Sequence, residues 1–162
     1  MEDKLIKLYN NYAFHVVIFC TISSLFVGAC IYVFLRPSEP IFFEWLSKIG
    51  LWETINSLRI KSVFWHTFLP EWIVYSLPNG LWAFSYSTLI TYLWRNSTSK
   101  IKYFWMGTIP LVVFGFEILQ LTGNIPGIFC WQDLIFLAAG MLVGFFLGIN
   151  FIKNKYHGKK FR

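Results

Sequence analysis

The chain has 162 residues, 56% of them hydrophobic and 21% aromatic but only 14% charged, with a mean hydropathy of +0.54 and a net charge of +6. A soluble domain carries about 25% charged residues, so this composition excludes the ordinary soluble class and indicates a membrane protein; the length suits one integral membrane domain over 1–162 and no second domain. The positive charges fall in short clusters between apolar runs and form no single basic face, a pattern that marks membrane topology and excludes nucleic acid as the expected partner.

Residues 1–12 form a short polar head with Lys4 and Lys7. The run 13–35 has no Asp, Glu, Lys or Arg and is long enough to cross a hydrocarbon core of about 30 Å. It continues to Arg36-Pro37 without an Ala-x-Ala pattern, so it reads as an uncleaved helix and not as a signal peptide. Charged residues then return. Phe42, Trp45, Leu46, Ile49, Trp52 and Ile55 recur at three- and four-residue intervals with polar residues between them, which predicts an amphipathic helix suited to the interface. The aromatic stretch after it, broken by Pro70 and Pro78, reads as interfacial or partly re-entrant. Together these make an amphipathic region over about 40–76.

A second span is predicted over about 77–94, with Pro78 near its first turn. A loop with Arg95, Lys100 and Lys102 leads to a third span over about 103–121, interrupted by Pro110. A short turn-rich connector precedes the fourth span, about 131–152, and a basic tail, 153–162, follows. The expected fold class is therefore all-α, a polytopic bundle of four transmembrane helices with an outer amphipathic region between the first and second. The head, the 95–102 loop and the tail carry clustered Lys and Arg, while the 122–130 connector has none. The positive-inside rule then places both termini in the cytoplasm and the connector outside. The four bases of 36–76 run against this rule, and four acids balance them.

This topology gathers Glu117, Gln120, Asp133 and Asn79 at the outer end. Glu117 and Gln120 are three apart and share a helix face. An ionisable residue inside a span is expensive and marks a functional site by default, which favours a binding role for Glu117. Asp133 opens a helix, where acids are favoured in any case, so a capping role and a site role stand side by side. Arg59 or Lys61 could serve as the partner of Glu117. His66 could be a ligand or base, although an interfacial histidine is more often satisfied by backbone. Gly140, Gly144 and Gly148 recur every four residues, spacing that lets helix backbones approach closely. Cys20 and Cys30 lie ten apart on one helix, about 15 Å, too far to bridge; a Cys30–Cys130 disulfide stays open beside three buried thiols. No phosphate loop, GxSxG elbow or HExxH helix is present, so neither a metal nor a cofactor is expected.

Glu117-x-x-Gln120, then Asp133 with Gly140 and Gly144 seven and eleven residues on, resembles the C-terminal signature of the VanZ-like family of small multi-span bacterial membrane proteins. The resemblance covers about a sixth of the chain. Leu137 stands where the family commonly has Asn, and the connector lacks the Arg often seen there. It implies a divergent member in the bacterial plasma membrane, in a family associated with glycopeptide resistance, teicoplanin above all. The leading expectation is a non-enzymatic envelope protein binding an amphiphile, such as a lipid, a lipid-linked precursor or a lipoglycopeptide, at an outer-facing polar pocket. An oligomeric channel, built by self-association of the chain, and an intramembrane enzyme using Glu117 and Asp133 are the alternatives. Membrane lipids are partners on every reading, with anionic lipid at the basic tail.

Overall fold

A computed structural model describes residues 2–36, 47, 48, 50, 52–66, 68–125 and 127–150. The basic tail and much of the predicted amphipathic helix, including Phe42 and Trp45, lie outside the described residues. The described chain is all helical: α1 (Glu2–Leu35), α2 (Trp52–His66), α3 (Glu71–Tyr75), α4 (Leu77–Trp94), α5 (Ile101–Leu121) and α6 (Trp131–Asn150). Three of these are long and apolar enough to cross a membrane: Tyr12–Leu35 within α1, α5 and α6. Their outward faces bear exposed Phe19, Phe26, Leu111, Phe116, Val143 and Phe146, the surface expected of helices whose solvent is lipid. The protein is thus an all-α membrane protein.

Helix α4 differs from the other three. It is not among the helices apolar enough to cross by composition, yet it lies at the centre of the bundle and is the most buried. Pro78, Gly80, Ala83, Ser85, Ser87, Thr88, Ile90 and Thr91 are all buried along it. Its low hydropathy comes in part from these small and hydroxylated residues; Thr88 donates to the Phe84 carbonyl of α4 itself and the Thr91 hydroxyl is buried without a partner, while other hydroxyls reach neighbouring helices. Ser85 donates to the Thr21 carbonyl of α1 at 3.0 Å, and Ser87 to the Met141 carbonyl of α6 at 2.9 Å. Tyr86 meets the Thr108 hydroxyl of α5 at 2.9 Å. A helix that hides its polar groups this way needs no apolar face of its own.

The closest approach is between α4 and α6. A Cβ placed on Gly140 would overlap the Gly80 carbonyl oxygen, one on Gly144 would meet the Phe84 carbonyl, and one on Gly148 would meet the Thr91 side chain. The pairs advance together along both helices, so α4 and α6 run parallel. Helix α1 runs antiparallel to α4, since Thr21 lies by Ser85 and Gly28 by Pro78. Below the crossing, Ala83, Ile90, Ile109, Val113 and Leu137 form the apolar core between α4, α5 and α6.

Helix α2 carries the last two residues of the expected amphipathic pattern, Trp52 and Ile55, both half-buried, and beyond them a different order holds. Leu58, Ile60 and Phe64 are exposed while Arg59 is buried, 6% exposed. The physical reason is the C-terminus of α1, whose last carbonyls have no partner within their own helix. Arg59 donates to the Arg36 carbonyl at 2.8 Å, and Ser62 to the Phe34 carbonyl at 2.5 Å. A cation at the negative end of a helix is favoured as well. The Cys30–Cys130 disulfide left open above is not formed; all three cysteines are free thiols.

Gly140→Ala should lower stability by about 1–3 kcal/mol, because its added methyl meets fixed backbone and overpacks the crossing. Gly107→Ala, with open space at its Cβ in the middle of α5, should gain up to about 1 kcal/mol from helix propensity. Thermal unfolding of both variants in detergent checks this; equal midpoints would rule out the close α4–α6 contact.

Candidate functional site

The parallel packing of α4 and α6 brings both of their N-termini to one end of the bundle. The C-terminal ends of α1 and α5 reach the same end. Between them lies a cleft of about 810 Å³, within the range of small-molecule sites. Each wall comes from a different element. Tyr32 and Arg36 end α1; Glu71 and Tyr75 belong to α3; Asn79 and Trp82 lie in the first turns of α4. Glu117 and Gln120 face in from α5, and Gln132 and Asp133 from α6.

Of the residues singled out in the sequence, Glu117, Gln120, Asp133 and Asn79 are together in this cleft. Glu117 is only 5% exposed, and its Oε2 is buried without a hydrogen-bond partner. The backbone amide of Cys130, in the connector, faces the Glu117 carboxylate, and Asp133 is close enough to repel it. Asp133 sits in the first turn of α6, and its Oδ1 is likewise buried and unpartnered. The capping and site roles weighed for Asp133 are therefore compatible: one position serves the helix and lines the cleft. Gln120 packs its amide over Gly127, whose φ of 144° and lack of a side chain leave the amide its room.

Arg59 is not in the cleft. It is engaged at the end of α1, where it holds the backbone of Arg36. Lys61 is exposed on α2 and is likewise absent from the cleft wall. His66 ends α2, and its side chain lies outside the described part of the structure. Gly140, Gly144 and Gly148 do not line the cleft; they set the α4–α6 spacing that defines two of its walls.

The cation at the site is Arg36, which sequence reasoning treated as the stop of the first span. Its guanidinium lies 4.7 Å from the Tyr32 ring centroid and 5.4 Å from that of Tyr75. Cation–π contact with both rings holds the group in place while its N–H donors stay free: among the described residues it makes no ion pair with Glu71, Glu117 or Asp133. The charged lining among the described residues is therefore Arg36 against three carboxylates. The signal that could have found Arg36 was its place directly after a charge-free run, at a helix end where a cation is favoured.

A second hollow of about 400 Å³ continues from this cleft. It is a groove between α1 and α4, lined by Leu25, Gly28, Ala29, Val33 and Pro78, and it shares Tyr32, Asn79 and Trp82 with the polar cleft. The polar and apolar spaces thus meet at three common side chains. No group of three or more His, Cys, Asp or Glu residues that could hold a metal is found among the described residues. In comparisons with known proteins, no family model matches the chain, and neither a curated protein nor a solved structure is detectably similar to it.

An unpaired buried carboxylate costs stability and is kept where it serves a ligand. Glu117→Gln keeps an acceptor for the Cys130 amide and removes the charge; it should raise the stability of the ligand-free protein by roughly 1 kcal/mol. Arg59→Ala should lower it by about 1–3 kcal/mol, since a buried carbonyl loses its donor. Unfolding curves for the two variants, measured side by side, test the assignment of one residue to binding and the other to the scaffold.

Proposed function

We propose that this chain is a non-enzymatic membrane protein of the bacterial envelope that binds an amphiphile in the cleft at the α4 and α6 N-termini. The observation that carries the reading is the continuity of a polar, charged cleft with an apolar groove. A head group in the first and a hydrocarbon tail in the second would fill both at once. The groove lies along α1, whose outward face is apolar, so a tail reaches it from the bilayer without crossing water. A site of this kind, with few convergent polar groups beside an apolar wall, is how proteins orient small ligands. The resemblance to the VanZ-like family agrees with such a role and adds lipid-linked precursors and lipoglycopeptides to the amphiphiles to be tried.

Four crossings complete the reading. Helix α4, 18 residues long, measures about 27 Å and is shielded from lipid by α1 and α6, so it would cross as an inner helix. With Lys4, Lys7, Arg95, Lys100 and Lys102 at the opposite end of the bundle, the positive-inside rule would turn the cleft outward. Glu117 and Asp133 also suit an acid–base pair, and turnover of the bound amphiphile is the outcome that would make this protein an enzyme.

Binding is tested with purified protein and short-chain lipids by native mass spectrometry. Ala29→Phe, which fills the apolar groove far from the acids, should weaken binding about tenfold, and Glu117→Ala with Asp133→Ala should weaken it further. Unchanged affinity in both the Ala29→Phe and the double variant would overturn the proposal. Topology is tested in a background in which Cys20, Cys30 and Cys130 are replaced by alanine. Asn124→Cys in the connector should react with an impermeant thiol reagent on intact cells, and Ser99→Cys only after lysis; the reverse pattern would invert the orientation.

A further inference from the structure

We propose that the head group taken by the cleft is zwitterionic, a primary ammonium and a phosphate on one short linker, as in an aminophospholipid. The proposal rests on the amphiphile reading above and names the class of amphiphile. Its first support is Glu117, more than nine-tenths buried, with Oε2 partnerless at the cleft wall. Asp133 lines the same space, and its Oδ1 is also buried without a partner. Two acceptors that lack hydrogen bonds call for a ligand that donates them. A primary ammonium carries three N–H donors, and it answers the excess of carboxylates over guanidinium in the lining.

A quaternary ammonium fits less well. It has no N–H to give the two oxygens. It is recognised instead by open aromatic faces; in the cleft Tyr32 and Tyr75 already hold the Arg36 guanidinium, and Trp82 stacks one face on Tyr86 at 5.9 Å. An amine without an anion would leave Arg36 idle. With Tyr32 and Tyr75 stacked against it, Arg36 keeps its planar edge for an anion, and two parallel N–H donors match phosphate geometry. A head group with a second acidic group would set its carboxylate against Glu71, Glu117 and Asp133. Charge, donor count and the engaged aromatic rings thus converge on one class.

The test measures binding of the full-length protein, in detergent, to four lipids of equal chain length with phosphoethanolamine, phosphocholine, phosphoglycerol or phosphoserine head groups. Phosphoethanolamine should bind at least about tenfold more tightly than the other three. Glu117→Gln and Asp133→Asn should each erase that preference while chain-dependent binding of all four lipids persists. Arg36→Gln should weaken the three phospholipid classes other than phosphocholine no more than phosphocholine itself, since phosphate is common to all. Equal affinity for the four head groups, or tighter binding of phosphoglycerol, overturns the zwitterion and leaves the amphiphile site intact. Free phosphoethanolamine competing as well as its lipid form would keep the head-group assignment and sink the amphiphile reading.

Discussion

The fold depends on the contact between α4 and α6. Three glycines of α6 allow the backbones of two parallel helices to touch over Gly80, Phe84 and the Thr88–Thr91 turn. In lipid, where hydrocarbon solvates side chains as well as protein does, close packing of small residues is what holds helices together. That contact does two further things. It seats a helix rich in hydroxyls where Ser85, Ser87 and Tyr86 find partners on α1, α6 and α5. It also brings two helix N-termini to the same level, so that Asn79 and Asp133 open side by side on the cleft.

The charges of the cleft follow partly from this geometry and partly against it. Asp133 at the start of α6 and Arg36 at the end of α1 both complement the helix dipoles beside them. Glu117 does not. It lies in the last turns of α5, the negative end, beside another acid and without a partner for Oε2. A position that breaks local rules while its neighbours obey them is where function is expected to outweigh stability. Arg59, buried and engaged, is the opposite case: a charge whose burial is explained by the carbonyl it covers.

Much of this was legible in the sequence, and the exceptions share a cause. The helices at 77–94 and 131–150 and the turn before Asp133 are written in local signals: Pro78, the Gly spacing, the uncharged connector. The grouping of Glu117, Gln120, Asp133 and Asn79 followed from counting spans. The role of Arg36 did not, because its cation–π contacts join residues from α1 and α3, which no spacing rule relates. Arg59 was misread for the same reason: its acceptor lies 23 residues away across the partly described 37–51 segment. The groove between α1 and α4 depends on Gly28 and Ala29 facing Pro78, a pairing of antiparallel helices that a single sequence does not display. The apolar pattern read up to Ile55 keeps Trp52 and Ile55 half-buried in α2, but beyond it Arg59 turns inward where no apolar spacing marks it.

Helix α4 is synthesised before the helix that covers it. Sixty residues separate Gly80 from Gly140, and at about 5–20 residues per second the ribosome needs roughly 3–12 s to supply the missing neighbour. During that interval Ser87 has no Met141 carbonyl, and the small face of α4 has nothing to pack against. A segment of such low hydropathy partitions weakly into lipid by itself. On the proposal that α4 crosses the membrane as an inner helix, its insertion would be a collective event, completed when α6 emerges, and the nascent chain would hold α4 against α1 or the insertion machinery until then. The same glycines that shape the mature cleft thus also set the timetable of its assembly.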